Sequence, residues 1–256
     1  MGENQTVLLN PILEDININI NIPTAREFID LYNEFNSNVN DYQPDRDEIS
    51  KRLIAPPYRD SEQNAGLNSR AGEPELRQLY INNLIKNTEY KYSVETQTGE
   101  TYKSTNNDSD GKSGNIDLTI YSSEAKKANL EKEKLVNIEF KFYSPSEKEL
   151  KRDIIKLVFE KINGILYLSL KNSDESTIPK ILEKLRELFS LIKESKNFSK
   201  IADKKLVMIF IVVLKKMDIY HEVFDFNIAK DNFDNYCKGF FVQSKFSILK
   251  ISEIKK

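Results

Sequence analysis

GKSGNIDLTIYSSEAKKANLEKEKLVNIEFKFY, from Gly111 to Tyr143, is the stretch on which the reading of this chain turns. Val136, Ile138, Phe140 and Phe142 are apolar. Asn137, Glu139, Lys141 and Tyr143 between them are polar or amphipathic. A period of two is the signature of a strand, so Glu139 and Lys141 project from one face and Phe140 from the other. Asn115 to Tyr121 alternates in the same way and carries Asp117. Two adjacent strands bearing acid, acid and ammonium are therefore the nucleus around which the chain is read.

Working outward, Pro145 and Ser146 end the second strand, and Ser146 forms a capping box with Glu149. The helix that follows turns Leu150, Ile154, Leu157, Val158 and Ile162 inward, and Ile165 to Leu170 reads as another strand. Thr177 and Pro179 open an amphipathic helix with an apolar face from Ile181 to Ile192. The run Leu206 to Leu214 is continuously apolar and β-branched, as expected of a strand buried on both faces. Upstream, Pro74 sits in the first turn of a helix reaching about Asn87, with Glu73 at the edge of its inward stripe. Tyr90, Tyr92 and Val94 then alternate as a strand. From Glu73 the order is helix, strand, strand, strand, helix, strand, helix, strand, which predicts an α/β fold with a mixed β-sheet flanked by helices.

Residues 1–70 read as a mostly helical N-terminal appendage to a domain spanning 71–256. In Asp15 to Ile22 the alternation of Ile and Asn permits a strand, and the low complexity permits a disordered arm. A capping box at Thr24 and Glu27 starts a helix, and a second short helix is expected over about Arg46 to Ile54. The polar stretch Gly99 to Gly111 reads as a long hairpin tip.

Composition narrows the function classes. With 39% hydrophobic and 30% charged residues the chain is a water-soluble globular type. Its longest apolar run is too short to span a bilayer, and no secretory leader is evident. A single cysteine, Cys237, excludes an intramolecular disulfide and a cysteine zinc site, in keeping with a cytoplasmic setting. The single histidine, His221, gives little basis for a histidine metal cluster or a Ser-His-Asp triad. Net charge is −2, but residues 1–120 carry −9 and residues 121–256 carry +7, so only the second part could draw in a polyanion.

The triplet E-x-K is not itself distinctive, for it occurs at Glu89, Glu124, Glu139, Glu149, Glu194 and Glu253. Context singles out Glu139, the one triplet that follows an acid-bearing strand and precedes a capped helix. A carboxylate and an ammonium held side by side on a strand, with a second carboxylate near, suit metal-dependent hydrolysis. Gly114-Asn115-Ile116-Asp117, then Ile138-Glu139-Phe140-Lys141, with Glu73 on the preceding helix, resembles the PD-(D/E)XK nuclease superfamily. The resemblance covers about a hundred residues, and Ile116 stands where that family most often has proline.

The resemblance implies a restriction-endonuclease-like αβββαβ core and a nuclease that hydrolyses phosphodiester bonds, of DNA in the first instance, in restriction, repair or phage defence. It implies Mg2+, with Mn2+ as a substitute, held by Asp117, Glu139 and the main-chain carbonyl of Phe140. Lys141 would orient water and stabilise phosphoryl charge, and Glu73 would complete the shell. Tyr143, Lys148, Lys151, Arg152 and Lys156 are the candidate backbone contacts, although such lysines also serve as an ordinary solvated helix face. Enzymes of this type pair to cut two strands, which would make a homodimer. The alternative is a catalytically inactive member of the same fold that binds DNA or organises a protein assembly.

Overall fold

The computed structural model describes residues 10–37, 72–99, 114–142, 145–170, 176–195, 197–201 and 205–251. Seven strands form one sheet in chain order: β1 (Lys91–Gln97), β2 (Asn115–Tyr121), β3 (Lys134–Phe142), β4 (Asn163–Leu170), β5 (Leu206–Val213), β6 (Asp218–Asp225) and β7 (Ser247–Lys250). The pairs β1–β2, β2–β3, β5–β6 and β6–β7 are antiparallel, while β3–β4 and β4–β5 are parallel. The parallel pairs are those joined through α5 (Glu147–Phe159) and α6 (Thr177–Ile192), because a parallel neighbour needs a crossover long enough to return the chain to its starting edge. The molecule is thus α/β, with a mixed sheet and helices against it.

Side-chain alternation sends two sets of residues to two cores. Leu118, Ile120, Val136, Ile138, Phe140, Tyr167 and Phe210 face α1 (Pro11–Ile16), α2 (Ile22–Ser37) and α3 (Glu73–Asn87). Leu166, Leu168, Ile209, Ile211 and Phe224 face α5 and α6, joined by α7 (Phe226–Ala229) and α8 (Phe233–Phe240). β5 is buried from end to end, as its apolar run predicts. The C-terminal aromatics, whose order the sequence leaves open, cluster around Phe189 and Phe224 on the α6 side. Gly164 lets β4 approach α5: a Cβ there would lie 3.1 Å from both Cβ and Cδ2 of Leu157.

The N-terminal region differs from its sequence reading. Asp15 to Ile22 is neither strand nor arm but helix, with a π-helical turn over Asn17–Asn21 joining α1 to α2. Helical spacing explains this, since Leu13, Ile16 and Ile20 then meet the sheet on one side. Asn17 and Asn21 are buried beside them, and Asn21 accepts a hydrogen bond from Tyr80 Oη at 2.8 Å. Thr24 is buried inside the continuous helix rather than capping its start. Leu13, Ile16, Phe28 and Ile29 share the core under β3 and β4, so residues 11–31 pack against the sheet. The expected helix over Arg46 to Ile54 and most of the Gly99 to Gly111 tip lie outside the described residues. Among the described residues, no helix is long and apolar enough to cross a membrane.

One buried cation fastens the far end of α5. Lys205, fully enclosed ahead of β5, donates to the carbonyl of Glu160 at 2.9 Å and to that of Ile162. Burial pushes its ammonium down to about 7, with Glu160 pulling the other way. A lysine lowered on folding binds fewer protons than the unfolded chain between about 7 and about 10.4, so stability rises with pH across that window. Urea unfolding should show this as a contribution of about 1.4 kcal/mol per pH unit, absent in Lys205→Met. Equal pH slopes in the two proteins would contradict the assignment.

Candidate functional site

Asp117, Glu139 and Lys141 meet at one end of the sheet. The β2–β3 ladder pairs Leu118 with Ile138 and Thr119 with Asn137, which sets Asp117 abreast of Glu139 one step further on. Partners abreast in an antiparallel pair share a face. Here it is the α5 face, because Leu118, Ile138 and Phe140 fill the opposite core. The same face carries the buried Thr119–Asn137 pair, hydrogen-bonded side chain to side chain at 2.9 Å. At Phe140 side chains take over from the ladder. Its N–H donates to Asp117 Oδ2 at 2.8 Å, and its carbonyl accepts from Lys141 Nζ at 2.7 Å.

Two helices complete the site. In α3, Glu75 accepts from the N–H of Gly72 at 2.8 Å and fixes the first turn. Glu73 in that turn reaches around the sheet end to Lys141, 3.6 Å away. α5 begins as its sequence predicts, with Ser146 and Glu149 in a reciprocal cap. It then presents Asp153, which the sequence reading did not assign to the site, and Lys156, which it read as a nucleic-acid backbone contact. Asp153 is fully buried and lies 3.1 Å from Lys141 and 2.9 Å from Lys156. Lys156 extends inward to Glu139 Oε1 at 2.5 Å and donates to the carbonyl of Asn115 at 2.8 Å. Gly114 leaves room for its stem, since a Cβ there would stand 3.1 Å from Lys156 Cδ.

Lys156 therefore corrects its expected role as a surface phosphate contact: it is only 4% exposed and is committed to the carboxylates. Lys148 and Arg152 are exposed and Lys151 is half-buried, while Tyr143 lies outside the described residues. Asp153 had a signal in the sequence. It falls in the inward stripe of Leu150, Ile154 and Leu157, where a carboxylate must find cations. That stripe gives Asp153 its direction, but not the identity of its partners on β3.

The cluster sets four carboxylates (Glu73, Asp117, Glu139, Asp153) against two enclosed ammoniums, Lys141 and Lys156, and the exposed guanidinium of Arg152, 3.6 Å from Asp153. Fully ionised, it carries an excess of one negative charge. Glu139 bears the consequence. Burial, then Asp153 and Asp117, push its carboxyl well above the ordinary range, and Lys156 does not offset them. Burial lifts Glu73 too, against the pull of Lys141. For Lys141, burial disfavours the ammonium, but Asp153, Glu73 and Asp117 together outweigh it and raise its pKa. The Lys156–Glu139 contact is an ion pair without hydrogen-bond geometry, and Glu139 Oε2 is buried with no partner among the described residues.

No protein-family model, no curated protein and no solved structure matches this chain. The site must accordingly be read from its own chemistry. Carboxylate and carbonyl oxygens are hard donors that suit Mg2+ or Mn2+, and the unpartnered buried Oε2 of Glu139 fits such an ion. The ammoniums interleave the acids, so among the described residues no three His, Cys, Asp or Glu converge as a metal cluster. What fits is a two-carboxylate site at Asp117 and Glu139, next to the Phe140 carbonyl.

The raised Glu139 gives a sign to pH dependence. A carboxyl raised on folding contributes stability that is full below its unfolded pKa and is lost as pH rises through its folded one. In chelator, the parent should lose stability relative to Glu139→Gln as pH rises towards 8, by up to about 1.4 kcal/mol per pH unit. Urea denaturation across pH measures it, and equal pH slopes in the two proteins would contradict the electrostatic account.

Proposed function

We propose that this chain is a Mg2+-dependent nuclease that hydrolyses phosphodiester bonds of DNA, with a restriction-endonuclease-like core from Glu73 to Leu170. The observation carrying this reading is the placement of Asp117 and Glu139 on one face by the β2–β3 register, beside Lys141, in a cluster of four carboxylates and three cations. The order helix, three strands, helix, strand over those residues supports it, with only the short α4 (Leu130–Glu133) added between β2 and β3.

In this reading Asp117, Glu139 and the carbonyl of Phe140 hold the cation, and Mn2+ can substitute. When bound, the ion supplies Lewis-acid polarisation of a phosphodiester oxygen. The chain's own groups do the rest. Lys141, steered by Asp153 and Glu73, offers its ammonium to the phosphoryl oxygens where charge develops. Glu73, at 40% side-chain exposure, orients water at the mouth of the site. Lys148, Lys151 and Arg152 position the nucleic-acid backbone, consistent with the +7 charge of residues 121–256. Two copies would cut two strands.

One observation favours a second reading. Lys156 Nζ, 2.5 Å from Glu139 Oε1, already places a positive charge against a carboxylate that would hold metal. On that reading the chain is an inactive relative that binds DNA or organises an assembly.

Incubation of plasmid, linear DNA and RNA with Mg2+ or Mn2+ separates the readings. Cleavage by the parent is expected, reduced at least about 100-fold in Glu139→Ala and in Lys141→Ala. Undiminished cleavage in both variants would sink the assignment. Salt-dependent DNA binding without cleavage would select the second reading.

A further inference from the structure

Lys156 is not accounted for by the family-type site of two acids and a strand lysine. It is one helical turn past Asp153, enclosed, and engaged by three oxygen groups: Glu139, Asp153 and the Asn115 carbonyl. Gly114 clears the space for its stem. A hydrated surface lysine has no such cage. The arrangement is that of a cation site built from hard oxygens, with an ammonium as its occupant.

Resting on the nuclease reading above, we propose that Lys156 takes the place of a second divalent cation, so that the site binds one such ion, at Asp117 and Glu139. Charge and geometry agree on this. With Lys141, Lys156 and Arg152 present, the four carboxylates, fully ionised, leave an excess of one, and a single divalent ion more than meets it. Without Lys156 the excess doubles to two, which makes further cation uptake more favourable. Position gives the same division. Lys156 engages Oε1 of Glu139, whereas Oε2 is the buried oxygen left without a partner, and Asp117 is engaged through Oδ2 by the Phe140 N–H. The ammonium and the metal would therefore lie on different oxygens of one carboxylate. Asp153 serves as a positioning residue, bridging the two lysines through its two oxygens.

The test is calorimetric titration of Mn2+ into chelator-stripped full-length protein and its Lys156→Met variant, with thermal unfolding as a second readout. The parent is expected to bind one ion per chain. The variant is expected to take up a second ion or to bind the first at least tenfold more tightly. In chelator it should melt several degrees below the parent, and saturating Mn2+ should raise its melting temperature more than the parent's. Lys156→Gln, which keeps a donor for the Asn115 carbonyl, replaces it if the methionine variant does not fold. One ion per chain in parent and variant, with affinities within twofold, would overturn the role of Lys156 and leave the nuclease reading standing. No ion bound by the parent would overturn both.

Discussion

The rest of the site depends on a mismatch of buried charge. Three acids and two ammoniums are gathered where β2 begins and β3 ends, with Arg152 at their rim, and Glu73 joins them from the opening turn of α3. Burial of a lone carboxylate is prohibitive, so each of these groups constrains its neighbours. Without Lys141, Asp153 would keep Lys156 and Arg152 against Oδ1 and lose its cation at Oδ2. Without Lys156, Glu139 would be left buried with no ion-pair partner. Glu139 remains undercompensated even so, and its raised carboxyl registers this. A folded chain that keeps such a group is holding a position for a proton or a cation.

The scaffold explains how the mismatch is tolerated. Phe140, on the same strand as Glu139, is locked in the opposite core among Tyr80 and Tyr167. α5 is pressed on β4 at Gly164 and tied at its end by Lys205. The strand and the helix that carry the charges are thus fixed by apolar contacts that the charges do not supply. The N-terminal helices contribute from behind: Leu13, Ile16 and Phe28 close the core under β3 and β4. Their burial there makes residues 11–31 part of the core that backs β3.

How much of this was legible in the sequence varies by the range of the interaction. Strict alternation from Val136 to Phe142 gave the facing of Glu139 and Lys141, because a strand has one periodicity and its meaning is local. The cap at Ser146 and the buried run of β5 were legible for the same reason. Ile16 to Ile22 was not. Alternating Ile and Asn satisfies a strand, and only the tertiary contacts of Ile16 and Ile20 select the helix. Lys156 was misplaced because a lysine on an amphipathic helix ordinarily faces water, and its carboxylate partner on β3 is distant in sequence. Asp153 could have been found from its place in an apolar stripe. Asp117 facing Glu139 needed the register of β2 on β3, which alternation within either strand does not specify.

The central claim is that Asp117 and Glu139 together form a seat for one divalent cation. Anomalous diffraction from crystals grown with Mn2+ tests it most directly. The account expects one strong peak touching a carboxylate oxygen of each residue, with Lys156 still against the other oxygen of Glu139. A map with no peak there at saturating Mn2+, or a peak held by other residues while Asp117 and Glu139 stay as they are, would contradict it.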